Sequence, residues 1–144
     1  MEIFQLRGPV LYFDLDTILI HNCDDILEAA KGHSFVILRD VYRGRNNPLA
    51  MQSSVMYWEG DQRWIYEAYK EEQLLLPGGD QEYLESTLPA VTYWQDITNG
   101  IISYKAHYLQ SGLQPENKVV IFHGKPRPWQ QNDLPYSAPR LVCP

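Results

Sequence analysis

The sequence predicts an α/β fold in which a mostly parallel sheet is flanked by helices. Short apolar runs rich in strand-forming residues alternate with amphipathic or acid-capped segments, and turn-forming residues separate them. The chain has 144 residues, of which 44% are apolar, which is enough for one buried core and too little for two ordinary domains.

The elements are predicted from their periodicity and their flanking residues. Strands are expected at residues 10–14, 34–39, 54–58, 101–104 and 119–122. A short helix is expected from Asp24, because acidic residues favour a helix N-terminus, and Gly32 ends it. Further helices are predicted at 61–73, which Pro77 and Gly78 follow, and at 80–88. An exposed loop is expected at 43–48.

The composition excludes several classes of function. The net charge of −6 and the pI near 5.1 disfavour nucleic-acid binding, which depends on clustered lysine and arginine. The sequence has neither a basic N-terminal segment followed by an apolar run nor about eighteen consecutive apolar residues, so neither secretion nor a membrane span is predicted. Cys23 and Cys143 form no CxxC pair, and a reduced, cytoplasmic protein is expected.

Two aspartates directly follow the first predicted strand. Asp14 and Asp16 flank Leu15, and because side chains alternate along a strand, both carboxylates are expected to face one way while Leu15 packs the other. Two like charges so close repel each other, and a bound divalent cation would relieve that repulsion. A solvated turn is the alternative, which the apolar residues at 18–20 disfavour.

The second segment whose residues could bind a ligand is VVIFHGKPRPW at residues 119–129. A strand would deliver His123 at its end, Gly124 permits close approach of the backbone, and Lys125 could neutralise phosphate oxygens. Trp129 could pack down as an anchor. A histidine at the edge of the core and a solvated lysine are the alternative interpretation.

Together these segments resemble the metal-dependent, nucleotide-sugar glycosyltransferases of the GT-A type, especially those related to glycogenin and the bacterial galactosyltransferases of family 8. VLYFDLDT resembles their DxD strand, and HGKPRPW resembles their late HxGxxKPW segment. Residues 53–56 (SSVM) are similar to the family's NSGVM strand, and residues 79–82 (GDQE) to its DQ-containing helix. The resemblance covers residues 3–129. It implies a partial GT-A-like domain at 1–129 and a proline-rich tail at 130–144.

The resemblance implies a role for each matched residue. One Mn²⁺ or Mg²⁺ would be held by Asp14, Asp16 and His123, and the nitrogen ligand favours Mn²⁺. The donor nucleotide and its sugar would contact Asp14, Ser53, Gly124 and Lys125. The catalytic residues beside the transferred sugar and its acceptor would be Asp80 and Gln81. Ser53 stands where the family usually has Asn, and the spacing within HGKPRPW differs, so the chain resembles a relative of family 8 and not a member.

The implied reaction transfers a sugar from a nucleoside diphosphate sugar to an unidentified acceptor, with retention of configuration favoured by the family-8 likeness. The cation and Lys125 would stabilise the charge on the leaving diphosphate. Relatives also carry an earlier βα segment that holds the nucleobase, and this sequence does not contain it. The chain is therefore expected to be a fragment of a longer protein, a naturally shortened form, or a protein whose nucleobase half-site comes from another polypeptide.

Two other functions stay open. FDLDT after a strand also resembles the first motif of haloacid-dehalogenase-like phosphatases, in which Asp14 would be the nucleophile and Asp16 an acid/base. GGDQEYLES supplies only Asp80 with a glutamate for their later acidic pair, and HGKPRPW has no role in them, so this alternative is disfavoured. The other is a non-catalytic binding or interaction module on a shortened glycosyltransferase fold, for example a homo-oligomer.

Overall fold

The computed structural model describes residues 1–72 and 79–134. Its strands are β1 (Val10–Phe13), β2 (Thr17–Leu19), β3 (Phe35–Arg39), β4 (Met51–Trp58), β5 (Thr92–Tyr93), β6 (Ile101–Ser103) and β7 (Val119–Ile121). Its α-helices are α1 (Asp24–Ala30), α2 (Arg63–Glu72), α3 (Gly79–Thr87), α4 (Trp94–Ile97) and α5 (Leu109–Ser111). Short 3-10 helices occur at Glu2–Gln5, Arg43–Arg45 and Pro128–Gln130, and a π-helix at Tyr104–Tyr108.

The described strands form two mixed sheets, which confirms the α/β class but not the mostly parallel pairing. The order in the four-stranded sheet is β1-β4-β3-β5, and the order in the three-stranded sheet is β2-β7-β6. β4 runs antiparallel to both β1 and β3, and β2 runs antiparallel to β7. Among the strands that the structure describes, only β3 with β5 and β6 with β7 pair in parallel. The loop from β3 to β4 contains no crossover α-helix, and such a direct return favours an antiparallel pair.

The five predicted strands and three predicted helices all have counterparts, with shifted ends. β4 begins at Met51 and not at residue 54, because Gln52, Ser53 and Ser54 are buried within the strand. The helix predicted at 61–73 is α2, and Gln73, Pro77 and Gly78 lie outside the described residues. The described elements that the sequence did not predict are β2, β5, α4, α5, the π-helix and the three 3-10 helices. All of them have five residues or fewer, too short for a hydrophobic period to be visible.

Alternate residues of the four-stranded sheet face two different apolar clusters. On one face, Phe35 stacks on Trp58, Phe4 packs against both rings at a tilt, and α2 and α3 cover them. The other face packs against the three-stranded sheet through what we call the junction cluster. Its buried members are Ile26, Ala30, Val36, Leu38, Val55, Tyr57, Trp94, Ile101, Val119 and Ile121. This cluster fixes the position of one sheet relative to the other.

The segment that follows the predicted domain packs against the three-stranded sheet as far as residue 134. Leu134 is buried beside Tyr104 and Phe122, and the Tyr104 hydroxyl donates a hydrogen bond to Asp133 at 3.0 Å. Most of the predicted proline-rich tail, with Pro135, Pro139, Cys143 and Pro144, lies outside the described residues. Within the described part of the chain, no helix has the length and apolar character needed to cross a membrane.

Candidate functional site

The two aspartates of the DxD lie in a turn that crosses from one sheet to the other. Asp14 follows β1 of the four-stranded sheet, and Thr17 begins β2 of the three-stranded sheet. The Thr17 amide donates to the Asp14 carbonyl at 3.1 Å, which closes a β-turn. Because the backbone turns here, Leu15 does not pack into the core. Its side chain is 94% exposed, so the prediction for Leu15 is wrong.

The pairing of β2 with β7 brings the DxD beside His123. Thr17 is paired with Ile121, and the Phe122 amide donates to the Asp16 carbonyl at 3.1 Å. His123 therefore follows at the same end of the strand pair as Asp16. The metal hypothesis needs this adjacency, because a divalent cation bound by both side chains must lie within about 2–2.5 Å of each ligand atom.

His123 is partly buried, and burial favours the neutral form of its ring. Burial lowers the pKa of His123, although the carboxylates of Asp40 and Asp16 act in the opposite direction. The ring of Tyr42 meets it edge-on at 5.8 Å. The Lys105 ammonium donates to the His123 carbonyl at 2.6 Å, which fixes the backbone at this position. A neutral imidazole is the form that binds metal ions.

Several polar atoms around this histidine are buried without a hydrogen-bond partner among the described residues. They are Asp16 Oδ1, Thr17 Oγ1, Gln52 Oε1 and His123 Nε2. Unpaired buried polar atoms are rare in folded proteins, and such a group could be satisfied by a bound ion, ligand or water. Among the residues that the structure describes, however, no three His, Cys, Asp or Glu side chains are arranged to hold a metal ion by themselves. A cation here would need oxygen ligands from another source.

A third carboxylate, Asp80, approaches the same place from helix α3. Burial raises the pKa of Tyr12, and the negative charges of Asp14, Asp80 and Asp16 raise it further, so the three carboxylates lie around one phenol. The Ser53 hydroxyl donates to Asp80 Oδ2 at 2.8 Å. This bond connects strand β4 to α3 and fixes Asp80 relative to the DxD turn.

Gln81, the other predicted catalytic residue, is held by Arg43 from the loop between β3 and β4. The Arg43 guanidinium donates to Gln81 Oε1 at 3.3 Å and forms an ion pair with Glu85 at 2.8 Å. It also donates to Asp40 at 3.0 Å. Burial alone would raise the pKa of Asp40, but hydrogen bonds from Arg43 and Tyr42 lower it. The predicted exposed loop is thus tied to α3 by one arginine.

Three of the residues after His123 are exposed: Gly124, Lys125 and Trp129. Gly124 has a φ of +65°, which favours glycine, and an added Cβ would meet no atom within 4 Å. Lys125 is exposed next to it. Trp129 is 71% exposed, so it does not anchor the segment as predicted.

No protein-family model matches this chain, and no curated protein matches it. The geometry of the site therefore carries the evidence for a function. The charges of Asp14, Asp16 and Asp80 all act on Tyr12, and that of Asp16 also acts on His123. Ser53 is hydrogen-bonded to Asp80, and Gln81 to Arg43.

Three residues that sequence reasoning missed contribute to this site. The Arg127 guanidinium forms an ion pair with Asp16 Oδ2, although 111 residues separate them. Gln52 contacts His123, and Tyr12 lies among the carboxylates. One signal was present: the polar run Gln52, Ser53 and Ser54 interrupts an otherwise apolar strand, and buried polar residues need a reason.

Proposed function

We propose that this chain is a metal-dependent glycosyltransferase, or the metal- and diphosphate-binding part of one, that uses a nucleoside diphosphate sugar as donor. The observation that carries the proposal is that Asp16 and His123, at the paired ends of β2 and β7, each have a buried polar atom without a partner among the described residues. These atoms are Asp16 Oδ1 and His123 Nε2. A cation between an anionic oxygen and a neutral imidazole nitrogen would satisfy both atoms and offset the cost of burying the carboxylate.

Asp16 and His123 suit Mn²⁺ or Mg²⁺, while Asp14, which precedes the turn, is not arranged as a third metal ligand and would contact the nucleotide. Such cations are commonly held by one or two carboxylates, with substrate phosphates and waters in the remaining positions. When bound, the cation would supply positive charge to stabilise the leaving diphosphate. Lys125 and Arg127 follow His123 within four residues, and both can contribute charge to the same phosphates.

The opposite wall of the site is suited to hold the donor sugar and its acceptor. Asp80 is fixed by the Ser53 hydroxyl, and Gln81 is fixed by Arg43, so neither side chain needs to be ordered when a substrate binds. The Tyr12 hydroxyl is a hydrogen-bond donor at neutral pH, and burial and then the neighbouring carboxylates raise its pKa further above the ordinary value.

Calorimetry with MnCl₂ and the diphosphates UDP, GDP and ADP tests this function. At least one diphosphate is expected to bind only when Mn²⁺ is present, with a dissociation constant of roughly 1 μM to 1 mM. The same titration with the corresponding nucleoside diphosphate sugars would then identify the donor. Nucleotide binding that is independent of Mn²⁺, or no binding at all, would count against the proposal and favour a non-catalytic module. Hydrolysis of a chromogenic phosphate ester that Asp14→Asn abolishes would instead favour a phosphatase.

Arg127→Met is expected to change the affinities for cation and nucleotide in opposite directions. Arg127 neutralises Asp16 through Oδ2, so its loss frees the carboxylate and should raise the Mn²⁺ affinity by roughly threefold to tenfold. The affinity for the Mn²⁺–diphosphate complex should fall, because a phosphate contact is lost. Arg45→Met, at an exposed arginine in the loop between β3 and β4, is the matched control and should change neither. A fall in Mn²⁺ affinity in Arg127→Met would contradict the prediction that Arg127 and the cation compete for the Asp16 carboxylate.

A further inference from the structure

Gln52 is a buried amide near the start of strand β4, and the proposed function gives it no role. It is only 4% exposed, and burying an amide is costly unless it forms hydrogen bonds. Its Nε2 lies 3.5 Å from His123 Nδ1 and is also hydrogen-bonded to Ser54 Oγ. The amide therefore contacts two polar groups, and one of them is a predicted metal ligand.

The contact involves one particular nitrogen of the His123 ring. Gln52 approaches Nδ1, whereas Nε2, on the far side of the ring, is buried and unpaired among the described residues. A neutral imidazole carries a proton on only one nitrogen. For Nε2 to offer a lone pair to a cation, the proton must be on Nδ1, and a buried Nδ1–H needs an acceptor.

The side-chain amide of Gln52 can provide that acceptor. A half-turn about its last bond exchanges the oxygen and nitrogen, which occupy nearly equal volumes, so that the carbonyl faces Nδ1. In that orientation the Ser54 hydroxyl can donate to the same carbonyl, so both contacts are kept with the donors reversed. If the amide NH₂ faced Nδ1 instead, the proton would be on Nε2, and that nitrogen could not bind a cation.

We propose that Gln52 is a positioning residue whose side-chain carbonyl accepts the Nδ1 proton of His123 and so keeps Nε2 free for a divalent cation shared with Asp16. The inference rests on the proposed function for the cation. The position of the proton, however, can be measured without any metal, so the role of Gln52 and the proposed function can be refuted separately.

The first measurement is NMR of the imidazole nitrogens in metal-free, ¹⁵N-labelled protein. The wild type is expected to carry the His123 proton on Nδ1. Gln52→Glu keeps an acceptor and should preserve this tautomer, whereas Gln52→Met has a similar shape but no acceptor and should move the proton to Nε2. His107 is an internal reference, because its Nδ1 accepts from the Ser103 amide at 2.9 Å and should behave identically in all variants.

The second measurement is Mn²⁺ calorimetry on the same proteins. Gln52→Met should weaken Mn²⁺ binding by about 10–100-fold, the usual effect of losing a group that orients a histidine ligand, and Gln52→Glu should bind at least as tightly as the wild type. A merely structural role would lower the stability of both variants without moving the proton. If Gln52→Met does not fold, Gln52→Asn replaces it, because its amide is one methylene shorter and should not reach Nδ1.

Two results would overturn the inference: a wild-type His123 with its proton on Nε2, or an unchanged tautomer in the folded variant that lacks the acceptor. A third result is that the tautomers are as expected but none of the proteins, wild type included, binds Mn²⁺. This result would support the contact between Gln52 and His123 and overturn the proposed function.

Discussion

Asp16→Asn should lower the Mn²⁺ affinity by roughly 100-fold or more, because losing even a group that only orients a metal ligand costs about 10–100-fold. Asp16 is the carboxylate that the fold places beside His123, and its side chain is only 14% exposed. The substitution keeps the shape of the side chain and removes its charge, so the remaining ligand atoms must bind the cation without an anion in the buried position. Calorimetry with MnCl₂ measures the change directly.

The stability of Asp16→Asn should change little by comparison. The substitution removes the ion pair with Arg127, but that guanidinium is partly exposed and water can solvate it, so the loss should be no more than about 1 kcal/mol. Asp24→Asn is the matched control: an exposed aspartate with the same change of charge, at the start of α1 and beyond the far end of β2. Equal Mn²⁺ affinity in Asp16→Asn and the wild type would rule out Asp16 as a ligand.

Trp94→Ala should have the largest effect on stability, because it removes a fully buried indole from the junction cluster. Truncating a buried tryptophan costs about 3–5 kcal/mol, which for a domain of this size corresponds to roughly 10–20 °C in Tm. Trp94 also donates from Nε1 to the Val55 carbonyl at 3.0 Å, and the substitution leaves that buried acceptor without its partner. Thermal unfolding followed by circular dichroism measures the loss.

Trp64→Ala provides the matched control for this prediction. Trp64 lies on α2 and is 45% exposed, so the same truncation removes far less buried apolar surface. A destabilisation of less than about 1.5 kcal/mol is expected. Equal losses of stability in Trp94→Ala and Trp64→Ala would show that the junction cluster stabilises the fold less than its burial indicates.

The junction cluster links stability to the site. Asp14 follows a strand of the four-stranded sheet, while Asp16 and His123 adjoin strands of the three-stranded sheet. The cluster packs these sheets together through residues such as Val55 and Ile121. A variant that loosens this packing should therefore also shift the carboxylate of Asp14 relative to His123.

Much of the local structure can be predicted from the sequence. The apolar run at 10–14, the acid-capped helix from Asp24 and the amphipathic segment of α2 are all present, because hydrophobic period and turn residues act within a few neighbouring positions. The mixed α/β class follows from their alternation. The same local signal located the DxD and His123 at the ends of strands.

The tertiary structure alone decided which strands pair and therefore which side chains meet. The period of a strand indicates that it is buried but not which strand lies beside it, so the antiparallel return of β4 and the separate sheet of β2 and β7 could not be predicted. For the same reason the contacts of Asp16 with Arg127 and of His123 with Gln52 were missed, since they join positions far apart in the chain. Leu15 is exposed because the chain turns to change sheets at that point, and no pattern among its neighbours indicates such a crossing.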